Sequence, residues 1–360
     1  MLGDGARWGC VLVCCAMAAP AATFEELAAR ADTARYANRV TEAVTLYRQA
    51  LQLNPRWPLG WWYLGTLYYD SDQYKDGQQA FARLVQLEDK PAVWAFLGLC
   101  EFENGAYAQA QAHFEKALHG DLPPDLSQVV GFHDALLLTR AGLFDQAWQM
   151  YRPLVERGID DPTLIAALGL NALGQAMLPR VIPRGQRDFV MAVGTATRIS
   201  MSGDNDKAEA AFRSLLENYP NLSDAHKCYG AYLMNTQPDK AMQEFRRALE
   251  LSPKAADTRA MLAILLFQSG RKDGAAEEAR KAVADRPNSA LAQYADGLTL
   301  KDPHQAVEHL KIAERLGPHN LECHIALAHV YAETGRHADE RREREISLKL
   351  AKETSPGAAN

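Results

Sequence analysis

A pattern of large and small residues recurs along this chain every 33 residues or so, and it limits the possible folds more than any other feature. Trp61, Leu64, Gly65 and Tyr68 fall at i, i+3, i+4 and i+7, one face of a helix. Tyr74, Gly77, Phe81 and Leu84 carry an apolar face onward after a short polar turn. Trp94, Leu97, Gly98, Tyr107, Ala110, Phe114 and Ala117 repeat Trp61, Leu64, Gly65, Tyr74, Gly77, Phe81 and Leu84, each 33 positions later. A glycine within a helix costs about 1 kcal/mol relative to alanine. Its return at 65 and 98 predicts a second helix lying close against the first. One such helical hairpin cannot bury its apolar face alone, so neighbouring hairpins must stack.

These residues resemble the tetratricopeptide repeat family, whose signature is W-x2-L-G-x2-Y, then A-x3-F, then P, at a period of about 34. The departure in the copy at 94–117 is Glu101, where the family prefers tyrosine. A degenerate first copy carries Ala43, Tyr47, Ala50 and Pro55. A fourth carries Ala135, Gly142, Phe144, Ala147, Tyr151 and Leu154. A fifth has Ile165, Leu168, Gly169 and Ala172 in a first helix, but Pro179 and Pro183 interrupt the stretch after it, so no full second helix is expected there. A sixth begins near Phe189, and the seventh to ninth are marked by Tyr229-Gly230, Leu262-Ala263 and Gly297. Their junction prolines 220, 253, 287 and 318 are spaced 33, 34 and 31, the last reflecting a short turn at Lys301-Asp302-Pro303. A tenth has Leu327, Ala328 and Tyr331, then a charged helix in which Glu340 and Arg344 replace the small and aromatic positions, suited to face water at the end of a stack.

The resemblance implies an all-α fold, a right-handed α-α superhelix of about nine to ten helix-turn-helix repeats. The organisation read from the chain is a signal peptide at 1–21, a repeat array at 22–175, an irregular break at 176–188, a second array with a capping helix at 189–350, and a disordered tail at 351–360. Trp8 to Ala22 is apolar and short for a membrane span of roughly 20 residues. It ends on Ala19-Pro20-Ala21, so export with cleavage before Ala22 is expected, to the periplasm or outside the cell, the alternative being an uncleaved anchor. Cys100, Cys228 and Cys323 then remain, an odd and scattered set that reads as buried filler rather than a disulfide framework. Arg180, Arg184 and Arg187 make the break locally basic, and read as a solvated loop.

The net charge is -6 with both signs interspersed, which argues against nucleic acid as a ligand. In the family, the first helices line a concave surface that holds peptides or helices. Carried over by register, the inward residues are Leu59, Trp62, Thr66, Tyr69 and Asp70; Ala92, Ala95, Leu99, Phe102 and Glu103; and Val129, Phe132, Leu136, Thr139 and Arg140. Further on they include Lys227 and Asn235. The aromatic members imply an apolar peptide or helix as ligand. The lysine and asparagine clamp by which some members hold a terminal carboxylate is absent, since Ala231 follows Lys227.

The expected function is therefore a non-enzymatic protein-binding scaffold of the cell envelope, with no catalytic residue, cofactor, metal or small-molecule substrate. Two alternatives stay open: a metal-binding or enzymatic C-terminal half, or a solenoid that associates with itself. His319, Cys323, His324, His329 and His337 make that half rich in histidine. His319 and Cys323 stand four apart, but His319 falls in the turn after Pro318, and the pair reads as structural.

Overall fold

The computed structural model of the chain describes residues 22–354. The segment at 1–21 expected to be a signal peptide lies outside them, as does the expected tail beyond 354. Among the described residues there are helices and turns and no strand, and no helix is long and apolar enough to cross a membrane. The chain divides into two units, residues 1–122 and 123–360.

The first unit holds three hairpins: α1 (Phe24–Tyr36) with α2 (Val40–Leu53), α3 (Pro58–Asp70) with α4 (Tyr74–Leu84), and α5 (Pro91–Glu103) with α6 (Tyr107–Leu118). Helix starts follow local chemistry. Thr23 and Glu26 form a capping box on α1, while Pro58 and Pro91 open α3 and α5, where a missing N–H costs nothing. Between the helices of each hairpin the chain turns through the left-handed region at Asn38, Asp72 and Gly105. Asparagine and aspartate are the side-chain-bearing residues that tolerate it best.

The recurring glycine does what its position predicts. A Cβ on Gly98 would lie 2.7 Å from the Phe114 ring and 3.2 Å from the carbonyl oxygen of Ala110. Gly65 with Phe81, Gly230 with Phe245 and Gly297 with Leu310 repeat that contact at the same 2.7 Å. The large residue of the second helix thus lies over the bare backbone of the first. Ala110 and Phe114 are fully buried.

The second unit contains α7 (Pro124–Ala141) with α8 (Phe144–Glu156), then α9 (Pro162–Leu173), α10 (Arg184–Met201) and α11 (Asn205–Asn218). The hairpins α12 (Ser223–Leu233) with α13 (Pro238–Leu251), α14 (Ala256–Gln268) with α15 (Lys272–Asp285), α16 (Ala290–Thr299) with α17 (Pro303–Leu316), and α18 (Leu321–Glu333) with α19 (His337–Thr354) complete it. The short turn expected at 301–303 is present, and Asp302 caps α17 by accepting from the amide of His304.

The expectation of a repeat without a second helix at 176–188 needs correction. Gly174 closes α9 in the left-handed conformation, and a single 3-10 turn, Pro179–Val181, leads into α10. Leu178, Pro179 and Ile182 are buried, so the segment is anchored by its apolar residues, while Arg180, Arg184 and Arg187 are exposed. Helix α10 begins five residues before Phe189 and packs antiparallel on α9. There the glycines face each other: a Cβ on Gly169 would collide with the carbonyl of Val190, and one on Gly194 with the carbonyl of Ile165. The same helix packs on α11. It therefore acts as second helix to α9 and first helix to α11, which the two prolines in its approach concealed.

A polar latch recurs at the junctions. The residue six after each junction proline donates to that proline's carbonyl: Trp61 to Pro55 at 2.9 Å, His226 to Pro220 at 3.0 Å, Gln293 to Pro287 at 2.7 Å, His324 to Pro318 at 2.9 Å, and Arg259 to Pro253. In three of these the other end of the side chain meets an acid of the second helix: His226 with Glu244, Arg259 with Glu278, and His324 with Glu343. At the chain's end, α19 runs four residues past the expected start of the tail. It is not wholly a solvated helix, for Glu343 and Leu350 are buried.

Candidate protein-binding face

Helix α3 places Trp62, Thr66 and Tyr69 at i, i+4 and i+7, and all three are half-buried. The opposite face carries Leu64, Gly65 and Tyr68 into the core, so the outer stripe owes its position to the packing of the inner one. Thr66 donates to the carbonyl of Tyr63 at 3.1 Å, which satisfies its hydroxyl within the helix. Leu59 lies on the same helix and is exposed.

The centre of this face is a residue absent from the inward set, Phe96 on α5. Its ring meets Trp62 edge-on at 5.4 Å and Tyr69 edge-on at 5.4 Å, and stacks on Phe81 at 5.4 Å. Edge-to-face and offset stacks are the favoured aromatic geometries, worth about 0.5–1.5 kcal/mol per pair beyond area burial. Tyr69 also packs edge-on against Tyr74 at 5.6 Å. The result is a fixed, half-exposed aromatic surface. Burial pushes the Tyr69 hydroxyl up to about 12, with Cys100 and Glu103 adding to the shift, so it remains a neutral donor at physiological pH. Asp70 is exposed and Glu103 half-buried beside this surface.

Other residues of the inward set lie elsewhere. Leu99 and Phe102 on α5 are core residues, 2% and 5% exposed, and Leu136 on α7 is 4% exposed. They pack and do not line a groove. Phe132 is half-buried, its ring 6.4 Å from that of Tyr151, and Arg140 is exposed. Thr139 is buried in a polar chain, 2.9 Å from the Tyr151 hydroxyl and donating to Asn171 Oδ1 at 3.3 Å. Lys227 on α12 is committed: its ammonium donates to the carbonyl of Leu173 at 3.0 Å and pairs with Asp224 at 2.9 Å. It thereby satisfies a carbonyl that the C-terminus of α9 leaves without an intrahelical partner. Asn235 is exposed just past the end of α12.

Glu101, the departure from the tyrosine of the pattern, is explained by its partners. It is buried, with Oε2 2.6 Å from His113 Nδ1 on α6. Gln78 on α4 donates to its other oxygen at 3.5 Å, and Asn104 donates to Gln78 at 2.8 Å. Burial holds its carboxyl above the usual carboxylate range, against the opposite pull of the His113 bond. Cys100, Cys228 and Cys323, the cysteines among the described residues, are free and buried. Burial pushes the thiols of Cys100 and Cys323 up to about 12 and that of Cys228 to about 11, so none is an activated nucleophile. His319 is exposed in the turn before α18, whereas Cys323 is inside the helix and donates to the carbonyl of Leu310, so the two do not form a ligand pair.

Comparison with known proteins agrees with this architecture. Family models described as Tetratricopeptide repeat match residues 28–72 and 64–125, 196–222 and 232–296, together more than half of the chain. The chain belongs to the tetratricopeptide repeat family. Solved structures similar to it include MamA (residues 41 to the end) from Desulfovibrio magneticus RS-1, 19% identical, covering 45% of this chain and 93% of that one with a TM-score of 0.35. Pseudomonas aeruginosa PilF is 20% identical, covering 46% and 78% with a TM-score of 0.41. Yeast Tom70 is 14% identical, covering 91% and 92% with a TM-score of 0.35. No curated protein matches the chain in sequence. Repeat stacks of this family are typically non-catalytic scaffolds for contacts between proteins.

Proposed function

We propose that this chain is a non-enzymatic scaffold that holds an apolar, aromatic-bearing segment of another protein against the outer face of α3 and α5. The observation that carries the reading is the Phe96 cluster, in which Trp62 and Tyr69 flank a ring stacked on the core residue Phe81. Aromatic side chains fixed by packing give large contact area with little further loss of rotamer freedom, which is why they dominate binding hot spots. The exposed Asp70 places an acidic group close enough to Tyr69 to act on its hydroxyl, so a basic residue flanking the apolar segment fits the ligand best. The leader-like sequence at 1–21 extends the proposal to a partner in the cell envelope.

Selection from a displayed peptide library on the full chain tests the proposal. Enriched peptides should carry aromatic or large aliphatic residues, and Phe96→Ala should lose them while keeping its helical signal. Peptides with no apolar preference, or peptides that Phe96→Ala retains, would count against this face as the site.

A further inference from the structure

The histidine latch occurs twice in nearly the same form, and one difference between the copies bears on what each can hold. His226 and His324 each face a proline carbonyl through Nε2, and each faces a glutamate of the following helix through Nδ1, at 2.7 Å to Glu244 and 2.8 Å to Glu343. A carbonyl only accepts, so Nε2 carries a hydrogen in both. Nδ1 and the carboxylate then meet lone pair to lone pair unless something positive lies between them, a proton or a metal ion.

The residue four before each junction proline distinguishes the copies. It is Leu51, Leu216, Leu249 and Val283 before Pro55, Pro220, Pro253 and Pro287, and Glu314 before Pro318. In the other repeats that position packs on the apolar core. Here an acid stands in its place, beside a pair of which His324 is 2% exposed and Glu343 fully buried. One ligand atom each from Glu314, His324 and Glu343 all lie within 4.8 Å of one another. Atoms sharing a zinc ion lie about 3–3.6 Å apart, as bonds of about 2.0–2.2 Å require, so the His324 Nδ1–Glu343 Oε2 pair, at 2.8 Å, has to open slightly to admit an ion, and small side-chain adjustments bring the three atoms to that spacing.

We infer that Glu314, His324 and Glu343 form a binding site for a divalent first-row metal ion, zinc foremost, joining α17, α18 and α19. The donor set, one imidazole and two carboxylates, suits zinc, manganese or cobalt better than a soft ion. The second contacts are those a ligand set needs: Nε2 of His324 is fixed by Pro318, and Oε1 of Glu343 accepts from Arg342 at 2.9 Å, leaving Oε2 for the ion. The ion would fasten the last hairpin to its neighbour. The inference is independent of the peptide-binding face, since every ligand lies in the second unit.

The test is zinc chloride titrated calorimetrically into the full chain carrying no histidine tag, with cobalt chloride followed by visible absorption. The natural chain should bind one equivalent. Glu314→Leu, which restores the residue found at 216 and 249, should fold as well or better and bind at least tenfold more weakly, without the cobalt bands. His324→Gln, which copies the natural Gln293 latch, should do the same, and it decides the matter if the first variant does not fold. A natural chain that binds no stoichiometric metal overturns the inference. So does binding of equal strength in the folded variants, which belongs to exposed histidines such as His329 and His337.

Discussion

Trp62 on α3 and Lys227 on α12 stand at the same position of their repeats, one residue after the side chain that reaches back to the junction proline, yet they do different work. Trp62 is half-exposed and braced by Phe96 on the next first helix. Lys227 reaches the carbonyl of Leu173, 54 residues away, and closes the end of α9. The difference originates in the helices that come before each one. Before α3 the hairpin α1/α2 is regular. Before α12 the chain has merged two hairpins into the three helices α9, α10 and α11, with α10 shared between them, and the C-terminus of α9 is satisfied from a later repeat. A position that family register assigns to ligand becomes structural wherever the stack is irregular.

The contrast can be broken most forcefully at the glycine crossing. Gly194→Val places a branched side chain against the backbone of Ile165, where no rotamer helps, and should cost at least about 3 kcal/mol. Urea unfolding followed by circular dichroism measures it. If the loss is confined to the second unit, α10 is the second helix of α9 as described. Ala110→Leu in the regular hairpin α5/α6 overfills a packed site but meets side chains that can shift, and should cost about 1–3 kcal/mol. An unchanged melting temperature there would contradict the close contact of Gly98 with Phe114. Lys227→Met keeps the stem and removes the bond to Leu173, leaving a helix-end carbonyl poorly satisfied, for a loss of about 1–2 kcal/mol. Faster amide exchange at the end of α9 than in α3 or α5 is the local sign of it.

The smallest effect concerns pH. Burial raises the Glu101 carboxyl above its unfolded value, so the stabilisation tied to its proton is full below the unfolded pKa and lost as pH rises through the folded one. Glu101→Gln removes that dependence. Unfolding free energies measured from about pH 4 to pH 7, spanning the carboxylate range, should show the natural chain losing ground to the variant as pH rises.

The hairpin pattern was legible because its determinants are local: a glycine in one helix and an aromatic 16 residues later, as in Gly65–Phe81 and Gly98–Phe114, sit within one copy of the repeat. The buried cysteines followed from their place in first helices. The aromatic face was legible in part, since Trp62 and Tyr69 share a stripe, but Phe96 lies outside the family's inward positions and joins them only across two helices. Leu99, Phe102 and Leu136 show the limit of carrying a register over: the same position is half-exposed in α3 and buried in α5 or α7. At 176–188 the prolines correctly marked an irregular approach. They said nothing of Gly169 and Gly194, whose meaning depends on two helices crossing backbone to backbone. The histidine-rich end pointed to His319 and Cys323 by spacing, whereas the residues brought together were Glu314, His324 and Glu343, on three separate helices.

The central claim is that the braced aromatic face of α3 is available to a ligand while its counterpart on α12 is spent on the fold. Calorimetric titration of one selected peptide into the natural chain, Trp62→Ala and Lys227→Met tests it most directly. The account predicts that Trp62→Ala weakens binding at least tenfold with its helical signal kept, and that Lys227→Met leaves the affinity unchanged. Loss of binding in Lys227→Met with full binding in Trp62→Ala would contradict it.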